Sequence, residues 1–218
     1  MGVFVALADF SSRTFTGNIL GDTSKVRDKK AVREFLTKKM KDTCEVAKRV
    51  NAKWATLVPG GFDNTLSLGY QNVNLIENLK FCADICEKEN LILVLEPLNF
   101  QNHPLAFIAK IAQAYEICKA VNSPSCKILD DLYHQQITEG NLITNIDLAW
   151  EEIAYFQVGS VPNRKEASIG EINYKNIFKH IHKKGYKDPI GLEHSQSKQT
   201  KEGDKFFLDN YRNLDLEA

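Results

Sequence analysis

An α/β fold built on a parallel sheet is predicted by three observations on the 218-residue sequence. Short aliphatic and β-branched runs recur at wide intervals, and the gaps between them carry apolar residues every three or four positions. Four of the six runs also end on or near an acid or amide at the carboxyl side. Parallel neighbours need a long crossover, so strands separated by helix-length segments read as β/α units.

The first run, VFVALA, predicts a strand over Val3 to Ala8. Asp28 is placed to cap a helix whose apolar stripe is Val32, Leu36, Met40, Cys44, Ala47 and Val50, with Lys and Arg on the solvated side. The second run is WATLVP, Trp54 to Pro59, and the VPGGF that closes it reads as a βα loop, since it lacks the lysine and hydroxyl of a phosphate cradle. Leu75, Leu79, Cys82 and Cys86 mark the next helix, followed by the run LILVLEPL, Leu91 to Leu98. Ile108, Ile111, Tyr115 and Cys118 carry a further helix after Pro104, and KILDDL, Lys127 to Leu132, is the fourth run. A helix over Leu142 to Trp150 leads to IAYFQVG, Ile153 to Gly159, and a helix over Tyr174 to Lys184 leads to PIGLEH, Pro189 to His194. SKQTKEGDK reads as a solvated loop before a last helix, Lys205 to Leu214. No low-complexity linker divides the chain, so residues 1–218 read as one domain.

Composition narrows the function classes. Lys plus Arg and Asp plus Glu are both 28 and the isoelectric point is near 7, which disfavours nucleic acid and anionic membrane as partners. No apolar run approaches the roughly 20 residues of a membrane helix. The expectation is a cytoplasmic protein, although an export signal would be hidden if the amino terminus is trimmed. The five cysteines, Cys44, Cys82, Cys86, Cys118 and Cys126, lack CxxC spacing and read as reduced thiols. His180 and His182 lie two apart on a helix and do not share a face, which argues against a metal pair there.

The chemistry lies at the ends of the runs: Glu96 in LVLEP, Asp131 in ILDDLYH, Gln157 in AYFQVG and Glu193 in IGLEH. In a closed parallel barrel those ends face one mouth, where the βα loops build an active site. Three carboxylates gathered there do not all stay ionised unless a cation neutralises them. Oxygen donors, one of them a neutral amide, suit Mg²⁺ or Mn²⁺ better than zinc or copper.

The strings LVLEPLN, DLYHQQ with EGNL, IAYFQVG with VPNRKE and GEINY, and GLEHS resemble the hydroxypyruvate isomerase-like branch of the xylose isomerase-like TIM barrels, from about Trp54 onward. The resemblance implies a TIM (β/α)₈-type barrel. It also implies one divalent cation, Mg²⁺ or Mn²⁺, bound by Glu96, Asp131, Gln157 and Glu193, with Glu96 and Glu193 as the acid/base pair. His134 and Arg164 match family positions that face the substrate, and Glu171 in GEIN matches one that organises the loop. The implied reaction is isomerisation of a small α-hydroxy carbonyl compound through an enediolate, of the hydroxypyruvate/tartronate semialdehyde type. The substrate would be a small hydroxy-keto acid or sugar, and a guanidinium at Arg164 would favour an acid.

A full barrel has eight strands in about 250 residues, whereas this sequence offers six runs in 218. The expectation is a barrel lacking one or two N-terminal βα units, with open edges that invite a homo-oligomer. Asn163 stands where the family usually has glycine, and is expected to take the left-handed turn. Ser160 replaces a frequent acid. A ketose 3-epimerase, a metal-dependent endonuclease and a non-catalytic partial barrel are the competing readings; neutral charge and only five histidines argue against the endonuclease.

Overall fold

The computed structural model describes residues 29–216. The strand read over Val3 to Ala8 and the cap at Asp28 lie outside them. Within them the chain alternates helix and strand as the run spacing requires: α1 (Lys29–Val50), β1 (Trp54–Leu57), α2 (Leu68–Glu87), β2 (Ile92–Leu95), α3 (Ile111–Val121), β3 (Cys126–Asp131), α4 (Leu132–Thr138), α5 (Leu142–Ala149), a 3₁₀ turn (Trp150–Glu152), β4 (Ile153–Val158), α6 (Tyr174–Lys183), β5 (Ile190–Leu192) and α7 (Lys201–Leu216). The five strands form one sheet in sequence order, each pair parallel.

Strand residues alternate between faces, and the packing shows which is which. Leu93, Leu95 and Ile128 join the helix residues Leu36, Leu79 and Ile117 in one core layer, and Phe156 and Val158 join Ile146, Tyr174 and Ile177 in another. Val94, Leu129 and Tyr155, with Trp54 against them, form a smaller cluster on the opposite, inner face. Trp54 and Tyr155 stack there with ring centroids 4.8 Å apart. Gly191 belongs to that face too: a Cβ at this position would collide with the Tyr155 hydroxyl.

A register shift decides what β4 presents. Ile128 pairs with Ile153, but Leu129 pairs with Tyr155, so β4 carries an extra residue at Ala154. Ile153 packs against the outer layers, whereas Tyr155, two residues on, lies in the inner cluster. Strict alternation would have sent Gln157 outward with Ile153. The bulge turns it inward, a re-aiming that bulges often provide beside functional sites.

Helix ends differ from the sequence expectations in three places. Ile108 is buried before α3 rather than in it, its carbonyl accepting from Leu98 N at 3.0 Å. KEGDK, read as loop, is the first turn of α7: Thr200 Oγ1 accepts from Gly203 N at 3.1 Å, and Glu202 and Asp204 complement the helix dipole. Leu132, read as the end of the KILDDL run, and residues 133–138, read without an element, form α4, because the Asp131 side chain caps it by accepting from Tyr133 N at 3.0 Å. Among the described residues no helix is long and apolar enough to cross a membrane.

Candidate active site and metal centre

The strand ladder brings the four sequence-predicted oxygen donors to one end of the inner face. Glu96 follows β2 directly, its amide bonding Leu57 O at 3.1 Å; Asp131 ends β3 and pairs in register with Gln157 of β4. Gln157 in turn pairs with Gly191, and Glu193 extends β5 through a 3.1 Å bond from its amide to Val158 O. Glu96, Asp131 and Gln157 are buried, while the Glu193 side chain is 43% exposed at the rim.

Arg164 reaches into this group from the loop after β4. Its Nη2 lies 2.8 Å from both Asp131 Oδ2 and Glu193 Oε2, and its Nε donates to Glu193 O at 3.0 Å. The guanidinium also sits over the Tyr133 ring, 4.7 Å from its centroid. The left-handed residue of this turn is Arg164, with φ +47°, and not Asn163 as the sequence suggested. Arg164 N bonds Ser160 O at 2.7 Å and Ser160 Oγ accepts from Lys165 N at 3.0 Å, so a tight turn around Ser160 fixes the arginine. Glu171 accepts from Gln136 Nε2 at 3.0 Å and its amide bonds Val161 O, which ties the loop to α4.

His134 stands on the first turn of α4, almost fully buried, with Nε2 3.6 Å from Glu96 Oε1 and 3.5 Å from Asp131 Oδ2. Burial, with Arg164 and His103 nearby, pushes its pKa down to about 3, so the ring is neutral. Burial drives the Asp131 carboxyl upward, and Arg164, the Tyr133 amide and a hydrogen bond with Glu193 pull it back. Its neighbour Asp130 points to the other face, where burial and the Asp131 charge raise it to about 8.

Among the described residues, three carboxyl groups meet one guanidinium and a neutral imidazole, an excess of acid over base. Ligand atoms of Glu96, Asp131 and His134 lie within 4.8 Å of one another, a spacing that suits a cation. Gln157 adds a second indication. Its side chain bonds the Tyr155 hydroxyl, yet its buried Oε1 has no hydrogen-bond partner among the described residues. An orphaned carbonyl oxygen is costly unless something binds it, and a hard cation does so. The residues present therefore suit a divalent metal.

Asn99, Asn102 and Tyr133 were not anticipated. Asn99 N bonds His134 Nδ1 at 3.2 Å, Asn102 N bonds Asn99 Oδ1 at 2.8 Å, and the Tyr133 hydroxyl bonds Asn102 Oδ1 at 2.9 Å. Asn99 lies three residues after Glu96 in LEPLN, but no local pattern signals a partner 35 positions away.

Residues 22–210 match the protein family described as Xylose isomerase-like TIM barrel. The hydroxypyruvate isomerase of Escherichia coli (strain K12) is 34% identical over 142 residues, 65% of this chain and 54% of that protein. The 2-oxo-tetronate isomerase of Cupriavidus necator is 31% identical over 128 residues, 59% of this chain and 49% of that protein. The chain spans about half the length of these curated relatives. Among solved structures, that of an AP endonuclease, family 2, from Brucella melitensis superposes with a TM-score of 0.76 at 26% identity, covering 83% of this chain and 70% of that one.

Proposed function

The chain belongs to the xylose isomerase-like TIM barrel family, and from that premise we propose that it carries the site of a divalent-metal-dependent isomerase acting on a small α-hydroxy carbonyl acid of the hydroxypyruvate type. The observation that carries this reading is the inner-face cluster of Glu96, Asp131, Gln157 and Glu193, with Arg164 bridging Asp131 and Glu193 and the Gln157 oxygen without a hydrogen-bond partner among the described residues. The names of the relatives support the reaction class and the choice of acid. Neutral net charge speaks against a polyanionic substrate despite the endonuclease neighbour.

In this reading Glu96, Asp131, Gln157 and Glu193 hold one cation, Mg²⁺ or Mn²⁺ given the all-oxygen donor set. When bound, the metal supplies positive charge that stabilises the oxyanion developing on the substrate. The residues do the rest. Arg164, fixed by the Ser160 turn, orients the substrate carboxylate. One of Glu96 and Glu193 takes the proton from the hydroxyl-bearing carbon, and that C–H pair becomes the double bond of an enediol. The other delivers a proton to the former carbonyl carbon, while the hydroxyl proton passes from one substrate oxygen to the other. General acid/base action of this kind contributes about 10²- to 10⁴-fold. Five buried cysteines outside any disulfide support a reducing compartment such as the cytoplasm.

Proton NMR in D₂O tests the proposal, with Mg²⁺-loaded protein and a panel of hydroxypyruvate, 2-oxo acids bearing a neighbouring hydroxyl, and ketoses. Metal-dependent movement of a carbon-bound proton to the adjacent carbon of the acids is expected. Inversion at a single carbon of a ketose would replace the isomerase by an epimerase. Silence across the panel with metal bound would sink the enzymatic reading.

A further inference from the structure

His134 faces the acidic cluster with Nε2, and whether that nitrogen carries a hydrogen or a lone pair decides whether it donates to a substrate or ligates a cation. Two contacts to its far nitrogen, and the bonds that fix their donor, settle the matter. The Asn99 amide N–H donates to Nδ1 at 3.2 Å, and the Asn99 side-chain Nδ2 lies 2.6 Å from the same nitrogen. The Asn99 carboxamide cannot be turned over. Its Oδ1 accepts from Asn102 N at 2.8 Å and its Nδ2 donates to Asn102 Oδ1 at 2.9 Å. Reversal would set donor against donor at Asn102 N and oxygen against oxygen at Asn102 Oδ1. Asn102 is held in turn, since its Oδ1 also accepts from the Tyr133 hydroxyl at 2.9 Å.

Two N–H groups thus converge on Nδ1, which must accept, and a neutral ring then carries its hydrogen on Nε2. We infer that Asn99 is a positioning residue that locks His134 in the Nε2–H tautomer, so that His134 donates a hydrogen bond to a substrate oxygen and stays outside the coordination sphere of the metal. The inference rests on the function proposed above and sharpens it, because close spacing alone would have made Glu96, Asp131 and His134 a ligand triad. A nitrogen bearing hydrogen has no lone pair to give, which returns the ligand role to Gln157 and Glu193. Metal-binding histidines show the opposite pattern, donating from the far nitrogen to an oxygen. Here the far nitrogen receives.

Long-range ¹H–¹⁵N correlation spectra of the full chain labelled with ¹⁵N-histidine read the tautomer directly, with His134 assigned by its absence in His134→Gln. Wild type is expected to show a protonated Nε2 and an unprotonated Nδ1, both in chelator and with saturating Mg²⁺. Asn99→Asp, which sets a carboxylate acceptor against Nδ1, is expected to protonate Nδ1 and to lower kcat about 10- to 100-fold. An Nδ1–H ring in wild type overturns the inference, as does loss of the Nε2 hydrogen on adding Mg²⁺, or an unprotonated Nδ1 in a folded Asn99→Asp. The wild-type spectra decide even if that variant does not fold. A chain that keeps the Nε2–H ring but turns over nothing would retain the assignment and lose the proposed reaction instead.

Discussion

The outer face of the sheet meets the helices with Leu93, Ile128, Phe156 and Val158, while its inner face ends in Glu96, Asp131, Gln157 and Glu193. Both sets alternate along the same strands, so the difference is one of address and not of local structure. Asp130 and Asp131 make the contrast at its sharpest. Asp131, facing inward, is answered by Arg164, by the Tyr133 amide and by a hydrogen bond with Glu193. Asp130, facing outward, has an Oδ1 without a hydrogen-bond partner among the described residues and keeps its proton up to about pH 8. Burial raises both carboxyls, but among the described residues only the inward one has a cation and an amide beside it that offset the cost.

If the faces divide labour in this way, substitutions on the two should separate activity from stability. Glu193→Gln should cut proton transfer about 10²- to 10⁴-fold while leaving the unfolding midpoint nearly unchanged, since the side chain sits at the rim. Unaltered exchange in D₂O would remove Glu193 from the acid/base pair. Phe156→Ala, on the other face, should cost about 3–5 kcal/mol in urea unfolding, because Phe156 is fully buried against the helices. A loss below about 1 kcal/mol would mean that this layer is not the core it resembles. The next residue should behave in the opposite way. Gln157→Ala should unfold almost as wild type yet weaken Mn²⁺ binding at least about 10- to 100-fold, the loss that even an outer partner of a metal site can bring. Calorimetric titration showing undiminished affinity would take Gln157 out of the ligand set.

Part of this division was legible in the sequence. The runs that became β1 to β5 were readable because β-branched and aliphatic residues cluster there at crossover spacing, and an acid at the carboxyl end of a run is visible without any structure. Gln157 was identified for its position at a strand end, but its direction depends on the bulge at Ala154, which neighbours alone do not encode. α4 escaped because seven residues are too few for a helical period and because Asp131, which caps it, had a stronger reading as a metal ligand. The turn at Arg164 departed from expectation since Asn163 has the better intrinsic left-handed tendency; the bonds around Ser160 override it. Asn99 was invisible, as its role is a contact with a ring on another βα unit.

The smallest expected effect per step of the measurement is the one that probes the outward carboxyl itself. In the unfolded chain Asp130 loses its proton near pH 4, whereas in the folded chain burial holds it to about pH 8. Between those values the native state binds a proton that the unfolded state does not, so stability falls as pH rises through that window and is flat on either side of it. The slope attributable to one such group is at most about 1.4 kcal/mol per pH unit. Asp130→Asn keeps the shape and removes the titration, so its stability relative to wild type should improve steadily from pH 5 to pH 8 when both are measured by urea unfolding in chelator. The same substitution at Asp131 should not give this clean gain, because burial raises that carboxyl too, but Asn there also forfeits the ion pair with Arg164 and the cap on the Tyr133 amide. Parallel pH profiles for wild type and Asp130→Asn would show that the outward aspartate is ionised after all, and that the two faces do not differ in how they treat charge.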